Sequence, residues 1–243
     1  MKSKSKLIYI LAFSLLIASF FTATQPITPE MAIVSSVFVV LFALPSYYAV
    51  TKTRGLKRGF GILFALGVYA LLLESSAIHT GFPYGDFIYN DVLGEKVFGL
   101  TPWTVAFAWP PIILLAYWFA RNLCNANQKF KILLSTAIGA MLVDLVLDPA
   151  AVNLGFWQWR EPGFYYGVPL VNFLGWILSC FIGAIILHRL WGKKSVPQSL
   201  GYSGLAILWF WTWANVFMLQ IVPAVVGFAL LAIFFRKTTR SSV

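Results

Sequence analysis

In the stretch VDLVLDPAAVNLGFWQW, residues 143–159, two carboxylates stand one helical turn apart, Asp144 and Asp148, directly behind a run of mostly apolar residues. Glu74 adds a third acid inside another apolar run. A carboxyl group removed from water resists ionisation, so an acid at such a position is able to keep its proton at neutral pH and give it to a weakly basic substrate. If the helix continues, the two aspartates share a face with Cβ atoms about 5–6 Å apart. Pro149, however, biases Asp148 away from the α conformation, and the expectation is that the helix ends there. Asp148 would then cap a short helix with Pro149 at its first position. A blander reading makes Asp144 or Glu74 packing glue, paired with Asn172, Asn215 or a tyrosine across helices. Neither reading excludes acid chemistry.

The elements that must hold these acids are apolar throughout. The chain has 243 residues, 60% hydrophobic and 11% charged, a balance foreign to soluble domains. Apolar runs fall at 7–23, 31–50, 60–78, 103–120, 132–147 and 169–190, with a longer one at 205–235. A run of about 20 residues at ~1.5 Å each matches the ~30 Å hydrocarbon core of a bilayer. The last run would be roughly 46 Å long as one straight helix, so it is expected to fold back near residues 220–223. Basic residues agree with this spacing. They cluster at Lys2, Lys4 and Lys6, at Lys52, Arg54, Lys57 and Arg58, at Arg121, Lys129 and Lys131, and at Arg189, Lys193 and Lys194. Such clusters mark cytoplasmic loops. Arg236, Lys237 and Arg240 join them if the last run crosses twice, leaving only Lys96 and Arg160 of the 18 basic residues on the other side.

The expected fold is therefore all-α: one transmembrane domain over residues 1–243, a polytopic helical bundle of about eight spans (seven if the last run crosses once), with both termini cytoplasmic. The net charge of +10 is a topology signal, and no motif points to nucleic acid. The N-terminal apolar stretch is longer than a usual signal sequence and ends in the poor cleavage site TATQ, so it reads as a first span. Cys124 and Cys180 fall in a loop and a span, which argues against a disulfide, and with two histidines no metal site is expected. No phosphate-binding glycine loop and no zinc-protease motif is present. Nothing in the sequence speaks to oligomeric state.

On this topology all eight acids, Glu30, Glu74, Asp86, Asp91, Glu95, Asp144, Asp148 and Glu161, lie in the outer half. Counting ~1.5 Å per residue from the inner ends puts Glu74 and Asp144 both roughly 20 Å up, in the outer third of the bilayer. Asn172 and Asn215 reach a similar level, which points to one pocket. The basic residues near that level are Arg160 and His79. The flanking outer segments, 74–103 and 147–176, share a design of carboxylate, glycine, clustered aromatics and a Gly/Pro lead into the next span. An interfacial aromatic belt is one explanation, but the cytoplasmic loops carry almost no aromatics. Aromatic faces around an acid would instead suit a cationic intermediate.

The stretches TGFPYGDFIYNDVLGEKVFGLTP and DLVLDPAAVNLGFWQWREPGFYYGVPLVNFLGW resemble the membrane-embedded carotenoid biosynthesis family that contains the carotenoid 1,2-hydratases. The second carries the family pattern: Asp144, Asp148 and Pro149, then Gly155, Trp157 and Trp159, then Tyr166 to Pro169, then Asn172, Gly175 and Trp176. The motif-bearing core spans about residues 60–190. The first stretch departs from the pattern at GLTP, and neither the first two spans nor the last run carries a matching motif. The resemblance implies cofactor-free addition of water to the terminal isoprene double bond of an acyclic carotenoid dissolved in the membrane, giving a tertiary alcohol. It makes the chain a multi-pass cell-membrane enzyme whose partners are the bilayer, the carotenoid and water. Asp148 or Asp144 is expected as the proton donor and Glu74 as the second carboxyl. Trp157, Trp159, Tyr165, Tyr166, Asn172, His79, Tyr84, Asp86, Tyr89 and Asn215 are the expected substrate contacts. Two rivals stand beside this reading. A lycopene-type cyclase would begin with the same protonation, although PITPE, ending at Glu30, lacks the second acid of that family. A lipid or solute carrier would show midplane polar residues and inverted repeats, and neither is visible.

Overall fold

A computed structural model describes residues 2–240. Met1 and residues 241–243 lie outside the described residues, and so do the chain ends to which the expectation of two cytoplasmic termini applies. The described residues form α1 (Lys2–Thr24), α2 (Ala32–Arg54), α3 (Leu56–Thr80), α4 (Val105–Leu123), α5 (Lys129–Asn153), α6 (Leu170–Trp191), α7 (Tyr202–Phe217) and α8 (Ile221–Arg240). Four segments, Pro29–Arg54, Leu56–Thr80, Lys129–Asn153 and Leu170–Trp191, are long and apolar enough to cross a membrane. Shorter apolar stretches, Ile8–Thr24 and Ile221–Arg236, belong to α1 and α8. The long last run is divided: α7 stops at Phe217, Leu219 takes a positive φ of 58°, and α8 packs back against α7.

Helix α4 is the axis of the bundle. Residues 109–118 are buried without interruption, and α2, α3, α5, α6 and α7 all pack on it. A helix apolar on every side belongs in such a position. Helix α1 sits outside, resting on α7, with Ile8, Leu11 and Phe13 exposed.

Helix α5 runs through Pro149 to Asn153, which overturns the expectation that it ends at Asp148. A proline inside a helix removes one backbone donor and crowds the carbonyl one turn earlier, a penalty of ~3 kcal/mol or more if nothing compensates. Here one side chain replaces the lost donor and two more tie neighbouring carbonyls. The Tyr165 hydroxyl donates to the Leu145 carbonyl at 3.1 Å, the Asn215 amide to the Val146 carbonyl at 2.7 Å and the Gln220 amide to the Pro149 carbonyl at 3.2 Å. Asp144 and Asp148 therefore stand on successive turns of one unbroken helix.

The outer segments contain short strands that the helical reading did not anticipate: β1 (Phe87–Tyr89), β2 (Lys96–Val97), β3 (Thr101–Pro102) and β4 (Trp157–Trp159). Strand β1 pairs antiparallel with β4, Phe87 opposite Trp159 and Tyr89 opposite Trp157, so the two aromatic-rich segments are joined directly. Alternation along β1 turns Phe87 and Tyr89 inward and Ile88 outward. The joined segments press onto α6 at Gly175. A methyl group there would stand 2.5 Å from the Pro83 carbonyl oxygen and 2.7 Å from the Tyr84 ring. Gly175→Ala is accordingly expected to destabilise the protein by about 1–3 kcal/mol, the usual range for overpacking. Gly61→Ala, with nothing within 4 Å, should be neutral or stabilising. Thermal unfolding in detergent checks both, and equal melting temperatures for the two variants would contradict the packing described.

Candidate functional site

Beneath the joined outer segments lies a cavity of about 580 Å³, with Glu74 of α3, Asp148 of α5 and Asn172 of α6 in its wall. Asn172 sits in the first turn of α6, behind the extended Pro169, and this aims its side chain across at α5. Its amide nitrogen donates to Asp144 Oδ2 at 3.0 Å and to Asp148 Oδ2 at 2.6 Å, using one hydrogen for each. Both aspartates are buried, and the shared Asn172 nitrogen brings one oxygen of each carboxyl together. Trp157 lines the same cavity as Asp148. Asp144 Oδ1 has no protein partner.

The third carboxyl is held differently. Glu74 Oε2 accepts a 2.6 Å hydrogen bond from the Tyr89 hydroxyl, which β1 carries inward. Burial pushes the Tyr89 phenol well above its usual value, and the Glu74 carboxyl adds to the effect, so Tyr89 serves as a donor. No ion pair reaches these three carboxyls among the described residues. Arg160 pairs with Asp86 at 3.2 Å, both largely exposed, and Lys96 pairs with Asp91 at 2.7 Å. Among the described residues no group of three or more His, Cys, Asp or Glu side chains is arranged to hold a metal ion.

The rest of the wall is aromatic. Trp109 of α4 stacks on Trp176 of α6 with ring centroids 6.3 Å apart and planes 22° from parallel. Tyr84 leans on Trp176, Phe87 on Trp159, and Tyr89 meets Trp157 edge-on. Polar tips anchor these rings. The Trp159 indole donates to the Tyr84 carbonyl at 2.8 Å, and the Tyr84 hydroxyl to Ser179 at 2.8 Å. The pocket thus combines carboxyl groups able to carry protons with π faces able to stabilise positive charge.

Of the residues expected from sequence, Glu74, Tyr84, Tyr89, Asp148, Trp157, Trp159 and Asn172 are brought together in this wall. Asp144 lies behind Asp148. Tyr165 and Asn215 are engaged on the α5 backbone instead, and Tyr166 points its hydroxyl at the backbone N–H of Val222, 3.4 Å away. His79 is exposed in the last turn of α3, and Asp86 is exposed beside Arg160. Sequence reasoning missed Trp109, Phe156 and Trp211, along with the faces of α1 and α2 that complete the wall. Trp109 stood within an unbroken apolar run, where nothing distinguishes a cavity-facing tryptophan from a packed one.

The pattern of the carotenoid biosynthesis protein family matches residues 31–234. A relative, the bisanhydrobacterioruberin hydratase of Haloarcula japonica, is 40% identical over 132 residues, which are 54% of this chain and 45% of that protein. The match thus spans less than half the length of that relative. No solved structure matches the chain. The family pattern runs from the start of α2 into α8 and includes every carboxyl of the pocket, and on that extent the chain belongs to the carotenoid biosynthesis protein family.

Proposed function

We propose that this chain adds water to the terminal isoprene double bond of an acyclic carotenoid end group. The observation that carries the reading is the Asp144–Asp148–Asn172 cluster in an apolar, aromatic-walled cavity, with the Glu74–Tyr89 pair in the same wall and, among the described residues, no cation paired with either. Two carboxyls gathered on one amide, away from water, do not both ionise, so the pair holds a proton between them. Asp148, which faces the cavity, passes that proton to the terminal alkene. The π electrons form the new C–H bond and leave a tertiary carbocation, stabilised by the surrounding ring faces. Water held near Glu74 adds its lone pair to the cation. Glu74 takes the proton released, which returns to the aspartate pair through water between turnovers. The net change is one water added, and no cofactor is required. The relative's name favours water over an internal double bond as the trap for the cation.

We infer further that all eight helices cross the cell membrane, with the carboxyls in the outer third and both ends cytoplasmic. The split of basic residues supports this. A reporter active only in the cytoplasm, fused after Val243, should give signal, and a silent fusion would leave seven crossings.

The direct test is expression in a host that makes an acyclic carotenoid, followed by mass analysis of the pigments. A hydratase adds one water per modified end, a cyclase leaves the mass unchanged and shifts absorption, and a carrier does neither. Asp148→Asn and Glu74→Gln should each lower turnover about 10²-fold or more with the protein still inserted, the usual scale of acid–base assistance. Trp157→Leu keeps apolar bulk but loses a π face, and should lower the rate roughly 2- to 30-fold. Hydration that survives Asp144→Asn, Asp148→Asn and Glu74→Gln undiminished would refute the mechanism while leaving the reaction in place.

A further inference from the structure

We propose that the gap between the outer halves of α1 and α2 is a lateral opening in which the unreacted part of the substrate polyene lies, so that one end is modified at a time without regard to the far end. The proposal rests on the hydratase reading for the identity of the occupant. Its geometry is independent of that reading. Among the described residues of the cavity wall, those contributed from α3 onward are buried or half-buried. Every exposed one comes from α1, α2 or the turn between them. Phe21 is 56% exposed, Met31 38%, Val34 49% and Phe38 43%. A side chain that lines a cavity and is also open to the outside marks the cavity's mouth.

The mouth exists because its two helices are held by others. Helix α1 rests on α7, and α2 rests on α3, α4 and α7, while α1 and α2 make at most marginal contact with each other. The four large side chains at the mouth are apolar, and Thr22, Gln25 and Ser35 are the polar minority beside them. That lining suits a hydrocarbon arriving from lipid better than a headgroup or a solute from water.

Two measurements decide this. In membranes, hydration at a common acyclic end should proceed at rates within about threefold for a substrate with an acyclic far end and one whose far end carries a bulky ring, because the far end makes no contact that changes in the transition state. A loss beyond about thirtyfold with the bulky far end would mean that the whole molecule must enter, and would overturn the proposal. If neither substrate is hydrated, the functional reading fails. The opening is then judged by a photo-crosslinking residue (benzoylphenylalanine) placed at Val34 or Phe38, with Leu178 on the exposed face of α6 as control. Irradiation in acyclic-carotenoid-containing membranes should yield carotenoid adducts at the gap about tenfold above the control, as expected for a held ligand over one merely dissolved nearby. Equal carotenoid yields, or phospholipid adducts alone at the gap, would overturn it.

Discussion

A pair of carboxyl groups on successive turns of one helix, in apolar surroundings with no ion-pair partner among the described residues, constrains the rest of this molecule. Such a pair costs less the more of its hydrogen-bonding positions are served, and Asn172 serves one oxygen of each aspartate with a single amide. Placing both side chains toward that amide requires α5 to stay helical through Pro149, and an uncompensated proline would not permit it. Tyr165 from the segment after α5 supplies the missing donor at the Leu145 carbonyl, while Asn215 from α7 and Gln220 from the turn before α8 tie the Val146 and Pro149 carbonyls beside it. The outer segment and the α7–α8 turn are thus positioned by the need to keep one helix intact.

The aromatic wall follows from the same arrangement. Strand β4 lies between the end of α5 and Tyr165, so fixing those two points also fixes Trp157 and Trp159 over the aspartates. Pairing with β1 then brings Tyr89 over Glu74, which joins the two carboxyl centres through a backbone ladder rather than through mobile side chains. Rings held by their polar tips, as Trp159 and Tyr84 are, need little rearrangement to meet a developing positive charge. Preorganisation of that kind is what makes electrostatic stabilisation effective in a water-poor site.

Helical rise led to the expectation that Glu74, Asp144 and Asn172 stand at one height, Glu74 and Asn172 do line one cavity with Asp148, and the length of the last run called for the break seen after Phe217. These features were legible because they depend on local geometry and on the thickness of a bilayer. The continuation of α5 was not, because the donor that rescues the Leu145 carbonyl lies 20 residues further along the chain and is brought back by tertiary structure. Nor was the part played by α1 and α2. In a membrane helix an apolar side chain facing lipid and one facing an apolar cavity obey the same composition rule, so Phe13 and Phe21 look alike in sequence although only Phe21 lines the pocket. His79 and Asp86 were misleading for the opposite reason. Polar residues near an interface are stable in water, and depth counted along a helix does not say which face they occupy.

The distribution of polar ties separates the parts of the wall that must hold still from those that need not. Helices α3, α5 and α6 carry the carboxyls and Asn172, and each is fixed by packing against several neighbours and by hydrogen bonds through Tyr89, Tyr165, Asn172 or Ser179. Helix α1 has a single described side-chain tie to another helix, the Trp209 indole on the Ala12 carbonyl at 3.0 Å, near its midpoint. Beyond that point its outer half is held by apolar contacts such as Phe20 against Phe217. Lipid replaces contacts of that type at little free-energy difference, since hydrocarbon chains are about as apolar as the side chains they displace. A wall closed by hydrogen bonds would have to break them in a medium with no water to compensate. On the proposed topology, the bilayer that makes buried carboxyls costly also makes an apolar seam between α1 and α2 the least costly place to admit a hydrocarbon.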